Sequence, residues 1–273
     1  MPLMDEFKNE RESIKTAPFK KKLEYFWIYY KWWVIGGAAA IAILISLIVT
    51  ITKNKKDVVY VAMVDIVENP RGNIEQTITI PFLTAHDYNT KKNTVNFNTE
   101  FLFSAAGASE KTVSGSPSYE NTKGFSGRES LAIYIAAGDV DAICGSDDWF
   151  NNYAYNDFFI PLEDYLTPAE LEKYKDSIYY IDKAVLDRYK NARSDQDYEY
   201  EEEYPDSDKP QDMEQPIAIG LKLEKNDLYN YNFLCANGNA RHIVFGIVRN
   251  TDSTDITAEL IKYIENGEID GGV

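Results

Sequence analysis

The run VVYVAMVDI at residues 58–66 decides the fold class. Val58, Val59, Val61 and Val64 are β-branched, and the stretch is nearly uninterrupted by polar groups until Asp65. A strand that is apolar on both of its alternating faces predicts a sheet covered on both sides. Outward from it, strands are expected at 94–103, DVDAIC (139–144), PIAIGLKL (216–223), YNFLCA (231–236) and HIVFGIV (242–248), with a further one at 76–82 in an Asn- and Thr-rich stretch. Asn237-Gly238 predicts a hairpin turn between the last two strands of the chain.

Helix signals fall between these strands. Ser126-Gly127-Arg128-Glu129 has capping-box spacing, in which a hydroxyl and a carboxylate satisfy each other's orphan backbone donors. It predicts a helix from Ser126 to Ala137, with Gly138 as its stop. Thr167-Pro168-Ala169-Glu170 repeats the spacing with proline at the first helical position and starts a helix to about Lys175. Ile256, Leu260 and Ile264 recur at four-residue spacing and predict a last helix at 254–266, ended by Gly267. The alternation gives an α/β fold with a mixed sheet. GSDDWF at 145–150 reads as the loop leaving the strand at 139–144.

Before this domain stands VIGGAAAIAILISLIVTI, residues 34–51, with no charge and no proline. As a helix its 18 residues reach about 27 Å at about 1.5 Å per residue, enough to cross a bilayer. Phe26, Trp27, Tyr29, Tyr30, Trp32 and Trp33 precede it, where amphipathic rings favour the headgroup layer. A cleaved signal peptide fits less well: the apolar run is long, its small residues lie at its start, and TKNKKD follows it instead of a small-residue cleavage site. The expected organisation is a cytoplasmic juxtamembrane segment at 1–33, a signal-anchor transmembrane helix at 34–51, a linker at 52–57 and an extracellular domain at 58–273. Lys20, Lys21, Lys22 and Lys31 face Lys53, Lys55 and Lys56 across the run, so the positive-inside bias toward a cytoplasmic N-terminus is small.

Residues 1–52 carry seven basic and five acidic side chains, whereas residues 53–273 carry 21 and 39, a net −18. A domain this acidic repels phosphate backbones, and nucleic acid is not an expected partner. Ten acidic residues fall between Asp195 and Glu214 against Lys209 alone, so 194–216 reads as a solvated, mobile acidic loop. Cys144 and Cys235 are too few for a disulfide scaffold or a cysteine zinc site; they either pair, if the domain is extracytoplasmic, or stand as buried thiols. His86 and His242 are the two histidines, and no HExxH, G-x-S-x-G or phosphate-loop pattern accompanies them. No cofactor, metal or catalytic residue is therefore expected, and the reading is non-enzymatic.

AAGDVDAI (136–143), the aromatic run ending in IPLEDYL (160–166), the capped helix after it, and FGIVRN (245–250) before a last helix resemble the first lobe of type II extracellular solute-binding proteins. MDEFKNERESIK (4–15) and FKKKLEYFWIYYKWWVIGG (19–37) resemble the N-terminus of uncharacterised membrane-anchored proteins of Gram-positive bacteria that carry such a domain. The resemblance implies ligand contacts from loops at the carboxyl ends of strands: Gly145, Ser146, Asp147, Asp148 and Trp149, with Ser126 and Gly127 at a helix N-terminus. It departs from the family in length, since little chain lies between the helix at 168 and the strand at 242 to build a closing second lobe. The expectation is an interaction or assembly module on a degenerate solute-binding fold, held in the bilayer by residues 34–51 and partnered by another envelope protein. The alternative is a receptor for a small molecule or peptide.

Overall fold

β1 (Lys56–Val64) stands inside the sheet, and its side chains alternate between two hydrophobic cores. Val59, Val61 and Met63 enter one, while Tyr60, Ala62 and Val64 enter the other. This two-faced burial is what the uninterrupted apolar run encodes. The computed structural model describes residues 18–53, 55–103, 119–194, 202–236, 238 and 240–267. Residues 1–17 of the expected juxtamembrane segment lie outside them. The chain divides into two units, residues 1–55 and 56–273.

Among its described residues the first unit contains one long helix, α1 (Phe19–Lys53). Trp27, Trp32 and Trp33 and the apolar residues Ile35, Ile41, Ile43, Leu44 and Ile45 project from it exposed. Among the described residues no helix is long and apolar enough to cross a membrane. The side chains described in α1 end at Ser46, short of the close of the uncharged run at Ile51.

The second unit is α/β. After β1 come β2 (Ile66–Glu68), a π-helical turn (Glu75–Thr79) running into α2 (Ile80–Ala85), β3 (Asn93–Phe101) and α3 (Tyr119–Ala137). Next are β4 (Ala142–Ser146), α4 (Asp147–Ala154), α5 (Pro168–Lys173), β5 (Ile178–Asp182) and α6 (Lys183–Ser194). The chain finishes with β6 (Pro216–Lys222), α7 (Asp227–Asn232), β7 (Phe233–Cys235), β8 (Ile243–Ile247) and α8 (Thr254–Asn266). A six-stranded sheet has the order β3-β1-β4-β8-β6-β5, and β2 and β7 form a separate antiparallel pair. β1 is parallel to β3 and β4; β8 lies antiparallel between β4 and β6, and β5 is antiparallel to β6.

One sheet face is covered by α2 and α8, through Phe82, Leu83, Leu260, Ile261 and Ile264. The other is covered by α3, α4 and α6, through Leu131, Ile135, Phe150, Val185 and Leu186. Phe150 stacks on Phe159 at 4.2 Å and 10°. Gly246 and Gly220 make room for the pair: a Cβ on Gly246 would stand 2.7 Å from Phe150 Cζ, and one on Gly220 3.1 Å from the same atom.

The capping box at α5 forms as its spacing predicts, with Glu170 N donating to Thr167 Oγ1 at 3.3 Å and Thr167 N donating to Glu170 Oε2 at 2.8 Å. α8 spans the expected residues, with Gly267 at its C-cap. Three expectations are corrected. Residues 76–82 are helical, because Ile78, Phe82 and Leu83 lie on one helical face and bury together, and burial outweighs the strand preference of Thr77, Ile78 and Thr79. Residues 227–232 are helix α7, started by the Asn226 side chain accepting from Tyr229 N at 2.8 Å, so the expected strand shrinks to β7. β7 and β8 form no hairpin: β7 pairs with β2, while β8 enters the main sheet beside β4 and β6. Gly238 does take the left-handed conformation expected of a turn glycine, with φ of 68°. No disulfide joins the cysteines: Cys144 is buried in β4 and Cys235 is partly exposed in β7.

Candidate functional site

In open α/β sheets a ligand crevice opens at the carboxyl ends of strands where the strand order reverses. Here β3 lies on one side of β1 and β4 on the other, so the reversal falls between β1 and β4. Gly145 is paired with Val64 at that point. The residues expected to contact a ligand are thereby brought to the right end of the sheet, although not in the form expected.

Gly145 and Ser146 are the buried last residues of β4, and Asp147, Asp148 and Trp149 are the first turn of α4 rather than a loop. The strand turns straight into a helix: Asp147 N donates at 3.0 Å to the main-chain carbonyl of His242, the residue before the neighbouring strand β8, and Ser146 has the extended backbone of an N-cap. Gly145 fits tightly on β1; a Cβ there would be 3.1 Å from Val64 Cβ. Ser146 Oγ is buried without a hydrogen-bond partner. Burial, and secondarily the Asp148 carboxylate, raises the Asp147 carboxyl above its ordinary value. Asp148 is exposed.

Ser126 and Gly127 are corrected as well, since they lie inside α3, which begins seven residues earlier at Tyr119. The Ser-x-x-Glu spacing that marks a cap also occurs one turn apart within a helix. Gly127 serves packing: a Cβ there would meet Phe103 Cε1 at 3.4 Å.

Phe103 is the residue the sequence did not single out, and it fills this end of the sheet. β1 is followed by Asp65, which is buried with φ of 55°, and its Oδ1 accepts from Phe103 N at 2.6 Å. Asp65 N also donates to Phe101 O at 2.9 Å, so the turn binds the end of β3 twice. The Phe103 ring, 1% exposed, meets Trp149 edge-on at 5.1 Å. The Arg128 guanidinium of α3 lies 4.4 Å from the Trp149 ring centroid and 5.6 Å from that of Phe103. Arg128 is exposed, and a cation over an aromatic face at such a site contributes about 0.5–1 kcal/mol. Aromatic rings and a cation thus occupy the space between β1, β4 and α3. Three cavities that stand out among the described residues, about 570, 440 and 680 Å³, are lined by none of the seven expected residues.

Beside this plug, residues 202–215 form a strap. Arg188 binds the Glu202 carboxylate at 2.8 and 3.0 Å, and Tyr204 stacks on Tyr155 at 4.4 Å. Asp208 accepts from Lys222 at 2.9 Å and from Arg241, and faces His242 Nε2 at 3.0 Å; His242 Nδ1 lies 2.9 Å from Glu224. Ser207 and Met213 are buried. The sequence shows an acidic stretch here, but the four partners Arg188, Lys222, Arg241 and His242 come from other elements, so the fastening of its described part is not legible locally.

Burial alone would raise the Asp208 carboxyl, but the Lys222 ammonium and the His242 ring outweigh it and hold the group down at about 2. Its folded value lies below the unfolded value of about 3.9, so the stabilisation is complete above about pH 4 and disappears as pH falls toward 2. Pepsin cleavage within 202–215 is therefore expected to rise between pH 4 and pH 2, and Asp208→Asn is expected to be cut already at pH 4. Equal cleavage of both proteins at pH 4 would show that the Asp208 contacts do not fasten the strap.

No family model, curated protein or solved structure matches the chain.

Proposed function

We propose that this chain is a single-pass membrane protein whose extracytoplasmic α/β domain is a non-enzymatic interaction or assembly module on a degenerate solute-binding lobe. The observation that carries the module reading is the filled crevice: Phe103, Trp149 and Arg128 occupy the place between β1 and β4 where an open sheet would receive a ligand. A domain that has closed this crevice retains its outer surfaces for recognition.

The anchor reading draws on the sequence of α1. The uncharged residues 34–51 lie within its 35 residues, preceded by exposed Trp27, Trp32 and Trp33. Orientation with the N-terminus in the cytoplasm follows from Lys20, Lys21, Lys22 and Lys31 and from the family resemblance of the N-terminal sequence. A receptor for a small molecule or peptide is the second reading. It is favoured by the unpartnered Ser146 hydroxyl at the strand-order reversal, and a ligand bound there would have to displace the Phe103 ring. Membrane-impermeant crosslinking of intact cells tests the module reading: joining to one specific envelope protein is expected, and a domain labelled yet joined to none would contradict it.

A further inference from the structure

The two edges of the main sheet differ. At one edge, β5 is accompanied by the strap: Glu214 and Gln215 donate to the Asp182 carboxylate at 2.7 and 3.0 Å, and Lys183 N donates to Gln215 O at 2.8 Å. At the other edge, β3 has β1 as its one hydrogen-bonded strand among the described residues. Its sequence NTVNFNTEF contains neither the lysine nor the proline that commonly blunts an edge.

A cavity of about 570 Å³ is lined by residues 94–97 of β3. Successive strand residues point to opposite faces, so a cavity that touches four in a row follows the strand's edge, at the level of its backbone. The opposite wall comes from residues 68–75, and Asp57, Glu68 and Glu75 bring three carboxylates to the cavity while no lysine or arginine lines it.

We propose that the open edge of β3 docks an extended, positively charged peptide segment of a partner protein, which adds to the sheet as a further strand. Main-chain bonds to residues 94–97 supply affinity, as in other cases of strand addition, and the carboxylate rim selects lysine or arginine on the incoming segment. This rests on the reading of the domain as an interaction module and names the surface and the chemistry of its partner.

The test uses the full chain in detergent with three probes: acetyl-(Lys-Val)3-amide, the same peptide with alternate backbone amides N-methylated, and acetyl-(Glu-Val)3-amide. Affinity is read by fluorescence anisotropy and the site by amide hydrogen exchange. The lysine peptide is expected to bind and to slow exchange within residues 94–97, and the other two to bind at least tenfold more weakly. The Glu68→Gln/Glu75→Gln double variant is expected to weaken the lysine peptide at least threefold. No binding, unchanged exchange at 94–97, or equal binding of the N-methylated peptide overturns the proposal. A cellular partner whose crosslinks fall away from β3 would remove this surface and leave the module reading; absence of any partner would remove the module reading, while the peptide result would still decide the edge.

Discussion

Phe150→Ala is expected to lower the stability of the α/β domain by about 3–5 kcal/mol, the range that truncating a buried aromatic costs. Phe150 is 1% exposed, stacks on Phe159, and meets Tyr179 edge-on at 5.5 Å. Where the sheet comes closest to the Phe150 Cζ atom through Gly246 and Gly220, it has no side chain to refill the space. A cavity that cannot collapse loses both the transfer free energy and the dispersion contacts of its lining. The reverse change has a matching signature. Gly246→Ala places a methyl 2.7 Å from Phe150 Cζ, and overpacking of this kind costs about 1–3 kcal/mol. In the Phe150→Ala background the clash with Phe150 is removed while that with Phe159 Cδ1 at 2.8 Å stays, so the penalty is expected to shrink and the double-mutant cycle to show a favourable coupling. Urea unfolding of the full chain followed by near-ultraviolet circular dichroism measures all four corners. A loss under about 1 kcal/mol for Phe150→Ala, or strict additivity with Gly246→Ala, would contradict this packing.

Asp182→Ala is the second large effect, at about 3–5 kcal/mol by loss of three hydrogen bonds to one buried carboxylate. Asp182 is 2% exposed at the end of β5. Its oxygens accept from Ala184 N at 2.9 Å, Glu214 N at 2.7 Å and Gln215 N at 3.0 Å, so one side chain starts α6 and fixes the strap where it returns into β6. Removing it takes the acceptor from three part-buried backbone donors at once, and an orphaned donor costs more than the net value of the bond it made. Asp182→Asn keeps the shape but turns an NH2 group toward donors, so it is expected to fall between Asp182→Ala and the native protein. Amide exchange separates this from a general weakening. Glu214 and Gln215 are expected to exchange faster in both variants under native conditions, and unchanged exchange there would exclude the role.

How much of this was legible in the sequence depends on how local each signal is. VVYVAMVDI announced a two-faced strand because burial on both sides is written in consecutive residues, and the Thr167 cap and the final helix were legible because a cap and a helical face need only four to thirteen neighbouring positions. The segment 76–82 misled because β-branching favours a strand and the overriding burial of Phe82 and Leu83 depends on distant partners. The end of β4 was found as a place and misjudged as a state. Gly145 to Trp149 do lie at the strand-order reversal, yet the Phe103 ring that fills it is aimed by Asp65, 38 residues away in sequence. Ser126 matched a capping pattern that a helix interior satisfies equally well. The strap is the same case in charge: its acidic residues are adjacent, whereas Arg188, Lys222, Arg241 and His242 reach it only once the sheet has formed.

An extracytoplasmic interaction module held at the membrane can be probed by treating intact cells with a membrane-impermeant amine crosslinker and identifying the products by mass spectrometry. Crosslinks are expected from lysines of residues 56–267 to one specific envelope protein, and none from Lys20, Lys21 or Lys22. Labelling of those N-terminal lysines with the domain lysines left untouched would reverse the orientation, and a domain labelled yet joined to no partner at native expression would contradict the module.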